Sequence, residues 1–454
     1  MNFASKLSDA IWNPWLLGLF LLVGTYFSLR TGFFQLFHCR DWLRISLGGM
    51  RRQGNRNGIS QIQTMATALA ATIGTGSIAG IATAIFFGGP GAVFWMWVSA
   101  FLGMMTSFAE KSLAIRYRRL TPEGWKGGPM CYIEDGLGMK GLARIFSAAL
   151  VLQTLTGGGM VQANSIAVTL NSAFGWNRVL IGITAALVTG IVIVGGIKRI
   201  GAVSELLVPV MALVFIGGGV VVLVANRHAI PGAIRDVVYY AFQPKAVLGG
   251  YSVSTALRYG VARGIFTNEA GMGSSAIAHA AAEESTPAEQ GMRGIFEVFF
   301  ATFVICTISA LVILTSGMYS VQGALNTIAT GNLSDKAIGA PLTAASFAAV
   351  LGKHGFTLVS VCLVLFAFTS LLGAGFYGQR GLESLVEGKG ALRGYQCIFL
   401  AAIIVGSIEE VAEVWALTDL CNGLLSFPNL VALLFLSPEV IRIWKEWSSK
   451  KRMK

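Results

Sequence analysis

Charged residues are scarce in this sequence. Asp, Glu, Lys and Arg make up 12% of the 454 residues, about half of their share in a soluble domain. Hydrophobic residues make up 54%. Three windows have no charge at all: 179–197, 206–225 and 356–376. A bilayer takes roughly 20 apolar residues to cross, so the composition excludes a soluble domain and a nucleic-acid partner and indicates a polytopic membrane protein.

Catalytic and metal-binding motifs are also missing. There is no HExxH, Walker A or GxSxG sequence, and the six cysteines have no CxxC spacing. No disulfide framework or zinc site is therefore indicated. The chain is predicted not to be an enzyme and to need no cofactor or ATP.

Hydrophobic windows predict about eleven membrane spans. They lie near residues 14–29, 63–87, 91–109, 146–172, 179–197, 205–225, 254–281, 294–317, 355–377, 394–408 and 414–437. Most of the 34 Lys and Arg residues fall on one side when loop 30–62 is placed in the cytoplasm. This predicts a multi-pass protein of the cell (inner) membrane, with the N-terminus outside, the C-terminus cytoplasmic and lipids as partners. The net charge of +12 is explained by the excess of Lys and Arg on the cytoplasmic side, where they meet anionic lipid headgroups.

Two of these spans are interrupted by glycine. The span at 63–89 contains Gly74-Thr75-Gly76-Ser77, and the span at 255–282 contains Asn268-Glu269-Ala270-Gly271-Met272-Gly273. Unpaired backbone at bilayer depth is costly unless it lines a polar cavity or a ligand. A pair of interrupted spans in matching positions of two halves points to the binding site of a transporter.

The spans divide evenly once the first is set aside. Residues 14–29 form an extra helix, 60–225 a first repeat of five spans and 250–437 a second repeat of five. An odd number per half inverts the second half in the membrane. We therefore expect one integral domain over residues 1–454.

The first break can bind ions of either sign. The N–H groups of a half-helix that starts after Ser77 suit a carboxylate, and the free carbonyls before the break suit a cation such as Na⁺. The alternative is a packing face, since Gly76 and Gly80 form a GxxxG pair.

The second break carries Glu269, and an acid inside a span indicates function. Glu269 is interpreted as a structural or gating residue. It alternatively pairs with Arg263 or caps the half-helix that starts near Ser274. His279 is interpreted as a packing or interfacial residue.

Polar residues in other spans are further candidates. Thr369 and Ser370 could give two oxygens to a cation, or could bond back to their own helix. Gln162 and Asn164 either hold helices together or reach a substrate. Asp419 and Asn422, three residues apart, are interpreted as an interhelical polar lock with a structural or gating role.

Several long blocks resemble the alanine or glycine:cation symporter family, also called the sodium:alanine symporters. The resemblance runs from about residue 31 to residue 438. Its blocks are GTGSIAGIATAI (74–85), GGPGAVFWMWVSAFLGM (88–104), FAEKSLAIRYR (108–118), GGPMCYIEDGLG (127–138), MVQANSIA (160–167), RGIFTNEAGMGSSAIAHAAA (263–282), FAFTSLLG (366–373) and NGLLSFPNLVALL (422–434).

The resemblance implies an all-α, LeuT-like five-plus-five inverted repeat with one extra N-terminal helix. It implies sodium-coupled symport of small neutral amino acids, such as alanine or glycine, into the cell by alternating access. The substrate-binding residues then include Thr75, Gly76, Ser77, Gln162, Phe266, Thr267, Asn268, Gly271, Gly273 and Ala374. A sodium site is implied between the carbonyls of Ile73 and Gly76 and the hydroxyls of Thr369 and Ser370.

The sequence departs from the family pattern at three positions. Ser77 stands where the family has an asparagine, Ala374 where it has a tryptophan and Gln379 where it has a glutamate. Loss of the indole enlarges the expected pocket. This leaves open a sodium- or proton-coupled carrier of a larger neutral amino acid such as glutamine or serine. A channel or an amino-acid sensor on a transporter fold is the alternative from another class, and the oligomeric state is left undetermined.

Overall fold

The computed structural model describes residues 11–12, 14–48, 59–121, 124–243, 251–283, 286–330, 338–386 and 388–452. Most of them are helical. In the first half the helices are α1 (Pro14–Arg30), α2 (Phe34–Phe37), α3 (Cys39–Gly48), α4 (Gln61–Thr72), α5 (Ala79–Gly88), α6 (Gly91–Arg116), α7 (Pro129–Cys131), α8 (Lys140–Phe174), α9 (Arg178–Ile193), α10 (Gly196–Ala225) and α11 (Ile230–Ala241).

The second half continues in the same way. Its helices are α12 (Val253–Asn268), α13 (Ala276–Ala280), α14 (Pro287–Thr315), α15 (Val321–Thr330), α16 (Ala340–Leu351), α17 (Lys353–Leu382), α18 (Lys389–Ile408), α19 (Val411–Phe435) and α20 (Ser437–Arg452). The predicted start of the second repeat, residue 250, lies outside the described residues.

The first predicted break is present. α4 begins with a capping box in which the side chains of Ser60 and Gln63 bond each other's backbone N–H. Its α-helical bonding ends at Thr72, and Thr75–Ser77 form a single 3₁₀ turn before α5 begins at Ala79. The chain therefore crosses the interior as two half-helices joined by buried irregular backbone.

The second predicted break is also present. α12 ends at Asn268, and Glu269 follows in the left-handed region with φ 54°. This region is disfavoured for residues with a side chain. Gly271 and Gly273 have φ 90° and 76°, values that glycine adopts without strain. The turn that they form separates α12 from the short helix α13.

Helices occupy all eleven predicted windows. Among the described residues, seven helices are long and apolar enough to cross a membrane: α6, α8, α10, α14, α17, α18 and α19. α1 and α9 are shorter. The half-helices α4 and α5 together form one span, and α12 and α13 together form another. On α10, Leu206 and Leu213 are 69% and 71% exposed, as expected for side chains that face lipid. The protein is a multi-pass membrane protein.

The segments between spans contain more structure than the sequence predicted. β1 (Arg119–Thr121) and β2 (Gly124–Lys126) pair as two short antiparallel strands, a small addition to a membrane protein whose fold class is all-α as predicted. Trp125 of β2 stacks on the Arg118 guanidinium at 4.1 Å. The same guanidinium donates to the Ala280 carbonyl of α13 at 3.2 Å, so the cation–π contact helps to hold the strands against that helix.

Candidate functional site

Both breaks open onto one buried cavity at the centre of the helix bundle. Its walls come from α4, the two breaks, α8 and α17. The lining residues are Ala71, Thr72, Gly74, Gly76, Gln153, Gly157, Gly158, Gln162, Phe266, Glu269, Ser370, Ala374 and Tyr377. The cavity volume is about 20 Å³, enough for about one water molecule.

The hydroxyl pair of α17 faces the end of α4. Ser370 Oγ lies 2.8 Å from the carbonyl oxygen of Ala70 and 3.3 Å from that of Ala71. Thr369 Oγ1 donates to the Phe366 carbonyl at 3.0 Å and is 3.5 Å from the Ala70 oxygen. Back-bonding within the helix is therefore present at Thr369, whereas Ser370 bonds across to the other helix.

The carbonyls in these contacts precede the expected ones. The sodium site implied by the family resemblance uses Ile73 and Gly76, but the nearest carbonyls belong to Ala70 and Ala71. Ile73 caps α4 by donating its N–H to Leu69 at 2.7 Å. The hydroxyls and Ala70 are fully or almost fully buried, so this is a small cluster of oxygens away from water.

Glycine is required at the first break by the closeness of these groups. A Cβ at Gly74 would lie 2.5 Å from Ser370 Oγ and 3.2 Å from Gln162 Oε1. A Cβ at Gly76 would lie 2.7 Å from Thr267 Oγ1 and 2.9 Å from the Phe266 ring. Any larger residue would separate the first break from α8, α12 or α17.

The two buried amides of α8 have different roles. Gln162 accepts a hydrogen bond from the Thr75 N–H at 3.2 Å and donates to the Gly157 carbonyl at 3.2 Å. Asn164 donates to the carbonyls of Gly406 and Glu409 at 2.9 and 2.8 Å. Gln162 therefore reaches the first break, and Asn164 holds α8 to the end of α18.

On the side of the cavity formed by α8, the sequence analysis named Gln162 but missed Gln153, Gly157 and Gly158. Residues Thr154–Met160 widen into a π-helical turn, which brings Gly157 and Gly158 to the cavity wall. Gly158 packs so closely on Ala374 of α17 that a Cβ there would collide with it. The run of three glycines before Gln162 was the available signal, because π-turns in helices are frequent at functional sites.

Ser77 lies at the first break but not on the cavity wall. Its carbonyl accepts a hydrogen bond from Ser309 Oγ of α14 at 2.7 Å, and its buried hydroxyl has no hydrogen-bond partner among the described residues. Thr267 Oγ1 donates to the Arg263 carbonyl at 2.8 Å and lies against Gly76. The Ser77 backbone thus contacts α14, and the Thr267 side chain contacts the first break.

Glu269 lines the cavity but does not pair with Arg263. Its Oε2 accepts a hydrogen bond from Ser274 Oγ at 2.6 Å. This places it at the start of the following half-helix, which the sequence analysis considered it to cap. Arg263 instead makes a two-pronged ion pair with Asp419 of α19, at 2.6 and 3.0 Å. The pairing of Glu269 with Arg263 is therefore wrong, since the fold brings α19 against α12.

An aromatic layer separates that ion pair from the cavity. The Arg263 guanidinium lies 4.3 Å above the Trp415 ring, and Trp415 makes an edge contact with Phe266 at 5.0 Å. Phe266 itself lines the cavity. Asp419 therefore forms the predicted interhelical polar lock, through its bidentate, charge-assisted contact with Arg263. Neither side-chain atom of Asn422 has a hydrogen-bond partner among the described residues.

The remaining candidates of the second break face away from the cavity. Asn268 donates to Thr302 Oγ1 of α14 at 3.1 Å. The Gly271 N–H donates to Glu110 Oε1 at 2.9 Å. A Cβ at Gly273 would lie 3.0 Å from Cγ of Asn429. Their part in substrate binding stays a prediction.

This architecture is that of a secondary transporter, with two half-helix pairs around a central polar cavity. The fold matches the crystal structure of MhsT in complex with L-phenylalanine, with a TM-score of 0.58 over 86% of this chain and 99% of that one, at 13% identity. The match shows a LeuT-type fold.

The chain belongs to the sodium:alanine symporter family, which it matches over residues 1–454. It is 38% identical to the sodium/alanine symporter AgcS of Methanococcus maripaludis, covering 100% of this chain and 98% of that protein. It is 36% identical to a Bacillus subtilis protein named "Probable sodium/glutamine symporter GlnT", covering 98% and 90%. The protein is thus a sodium-coupled amino-acid transporter and not an enzyme.

Proposed function

We propose that the protein is a symporter that carries a small neutral amino acid of the alanine and glycine class into the cell together with Na⁺. The observation that carries the proposal is the cavity that both breaks share with the α17 hydroxyls. It combines backbone N–H groups for a carboxylate, carbonyls for an amino group and a cluster of oxygens for a cation.

The substrate carboxylate binds at the first break, where Thr75 and Gly76 present N–H groups. The N-terminus of the following half-helix adds the positive end of its dipole. Gln162 already accepts from the Thr75 N–H, so it holds that turn in place beside the carboxylate. The substrate side chain then extends toward Phe266 and Ala374.

Na⁺ binds between α4 and α17. Ser370, Thr369 and the Ala70 carbonyl supply oxygens that already lie within hydrogen-bond contact of one another. Ile73 follows one turn after Ala70 and completes the set from the end of α4. Binding here links the ion to the first break, so that the ion stabilises the conformation that receives the substrate.

A larger substrate such as glutamine or serine is the second candidate, and Ala374 is the observation that favours it. This residue lines the cavity at a position where the family pattern often has an indole, and the relative GlnT bears glutamine in its name. The exclusion of larger side chains is therefore weaker here than in a pocket filled by tryptophan.

The size of the cavity supports transport by alternating access. A volume of about 20 Å³ is too small for an amino acid, so the surrounding helices must separate to admit one. We assign the two moving parts to the repeats 60–225 and 250–437. The N-terminus faces outside and the C-terminus faces the cytoplasm.

Uptake by the purified protein in proteoliposomes tests the proposal. Radiolabelled alanine or glycine should accumulate when a sodium gradient points inward, and should not accumulate when potassium replaces sodium. Accumulation that follows only a proton gradient would reject the coupling ion. Failure to accumulate any neutral amino acid would reject the substrate class, and single-channel currents without uphill accumulation would show a channel.

A further inference from the structure

A buried ionic cluster lies beside the second break. It consists of Glu110, Lys111, Glu269, His279 and Glu297. The Lys111 ammonium is 3.6 Å from Oε2 of both Glu110 and Glu297, and all three side chains are 0% exposed. Glu269 is buried in the turn of the second break, and the N–H of Gly271 in the same turn donates to Glu110 Oε1 at 2.9 Å.

Close packing of α6 on α14 holds the cluster together. Gly294 of α14 has no side chain, and a Cβ there would lie 2.9 Å from Cδ of Lys111 and 2.8 Å from Ser107 Oγ. Ser107 Oγ also donates to the Gly294 carbonyl at 3.0 Å. The ammonium is therefore confined between the two helices and cannot reach water without their separation.

Hydrogen bonds keep His279 neutral in this arrangement. Arg293 donates to Gln290 Oε1 at 2.7 Å, which turns the amide nitrogen of Gln290 toward His279 Nδ1 at 2.7 Å. Nδ1 must then accept, so the ring proton is on Nε2, which lies 3.1 Å from Glu297 Oε2. His279 is completely buried, which agrees with its interpretation as a packing residue.

The charges in the cluster do not balance. Three buried carboxyl groups, from Glu110, Glu269 and Glu297, accompany one ammonium and a neutral imidazole. The facing groups are neutral: Tyr132, which follows α7, Asn429 of α19 and Tyr377 of α17. Arg293 lies beyond Gln290 and interacts with Glu289. An uncompensated charge away from water is so costly that a carboxyl group takes up a proton instead.

A bound metal ion does not account for the excess of carboxyl groups in the cluster. Among the described residues, no three His, Cys, Asp or Glu side chains converge closely enough to hold one. A proton needs no such convergence, because it binds a single oxygen.

We propose that this cluster is a proton-binding site, in which Glu110, Glu269 and Glu297 share a proton around Lys111, and that its protonation controls the movement of α13. His279 ties α13 to α14, and Glu110 ties the turn at Gly271 to α6. Separation of these helices would admit water, and the proton would pass from the carboxyl group to water. This control of movement rests on the proposed transport function, whereas the site itself does not.

The pH dependence of stability tests the site without any transport. If the folded protein holds a proton that the unfolded chain releases, stability falls as pH rises. Between about pH 6 and pH 8.5, the melting temperature of the detergent-purified protein should therefore fall more steeply in the wild type than in Glu297→Gln or Glu110→Gln. Glu446→Gln, on exposed α20, is the matched control and should keep the wild-type slope. Equal slopes in the wild type and both cluster variants would overturn the proposal.

A pH-indicator dye in weakly buffered solution tests the link to movement. α13 packs on α4 and α17, the helices between which Na⁺ is proposed to bind, so that bound Na⁺ should hold α13 in its closed position. Adding NaCl, but not choline chloride, should therefore cause uptake of on the order of one proton per protein. This uptake should be lost in Glu297→Gln. Proton uptake that remains in this variant, or none in the wild type while Na⁺ still raises the melting temperature, would overturn the control of α13.

The two proposals fail in different ways. Accumulation of alanine with Na⁺, together with proton readouts that Glu297→Gln leaves unchanged, would remove the proton site and keep the symporter. A cluster-dependent pH slope without accumulation of any neutral amino acid would keep the site and remove the proposed function.

Discussion

At the scale of single residues, Ser370 is the side chain that most directly links α17 to the first break. Removing its hydroxyl takes one oxygen from the proposed ion site, so Na⁺ affinity should fall. We expect Ser370→Ala to raise the sodium concentration for half-maximal uptake by roughly tenfold or more, on the order of 1.4 kcal/mol. Thr369→Ala should act in the same direction.

Ser360 of the same helix provides the control for this measurement. It is also buried, but its hydroxyl donates only within its own helix, to the Phe356 carbonyl at 2.8 Å. Ser360→Ala should therefore leave the sodium dependence unchanged. If Ser370→Ala does the same, the α17 hydroxyls only bond backbone carbonyls and bind no ion.

Ala374 is the residue at which substrate size should be decided. An indole at this position would fill the cavity beside Gly158, and larger ligands would be rejected by steric clash. Adding or removing one apolar group in a binding pocket changes the binding free energy of a substrate by roughly 1–3 kcal/mol. We therefore expect Ala374→Trp to narrow the range toward alanine and glycine, with glutamine and serine losing their ability to compete first.

A graded series makes the size effect distinguishable from misfolding. Ala374→Val should give an intermediate competition profile, and both variants should retain a cooperative melting transition that Na⁺ shifts upward. A wild-type profile in Ala374→Trp would mean that this residue does not limit the substrate.

At the scale of secondary structure, the ion pair between α12 and α19 should stabilise the closed state on one side of the cavity. Arg263 and Asp419 are 5% and 15% exposed, and Phe266 and Trp415 lie between them and the cavity. In Asp419→Asn the closed state loses a charge-assisted hydrogen bond, worth about 1.5–3 kcal/mol. We expect the maximal uptake rate to fall by about tenfold or more.

Binding and turnover separate this role from a direct contact with substrate. Stabilisation of Asp419→Asn by Na⁺ and alanine in a melting assay should stay close to that of the wild type. Glu439→Gln, which removes the carboxylate partner of the exposed Arg116, should leave uptake unchanged. A loss of substrate binding equal to the loss of rate would place Asp419 in the binding site instead.

At the scale of the whole molecule, the proposed orientation can be measured directly. Cys39 is exposed on α3, on the side assigned to the cytoplasm, and His228 is exposed after α10 on the opposite side. In a background without other cysteines, a membrane-impermeant maleimide should label His228→Cys in intact cells. It should label Cys39 only after permeabilisation. The reverse pattern would invert the topology.

Local sequence patterns predicted much of the secondary structure of this chain, because a membrane limits the structures that an apolar segment can adopt. Long apolar windows must be helices, since backbone groups in lipid have no water to bond. The two glycine-rich interruptions were therefore visible at 74–77 and 268–273, and the structure has half-helices on either side of both. The hydroxyls at 369 and 370 were also visible as the polar positions of an apolar span.

The sequence by itself determined the membrane class, the helices, the two breaks and the family. Only the tertiary structure decided which groups meet, because contacts between distant segments depend on the packing of whole helices. It paired Arg263 with Asp419 and not with its near neighbour Glu269, and set Ser370 against Ala70. It also brought the π-turn of α8 to the cavity and gathered Glu110, Lys111 and Glu297 from two helices. Spacing along one chain cannot specify such contacts, since they depend on the crossing of helices that are far apart in sequence.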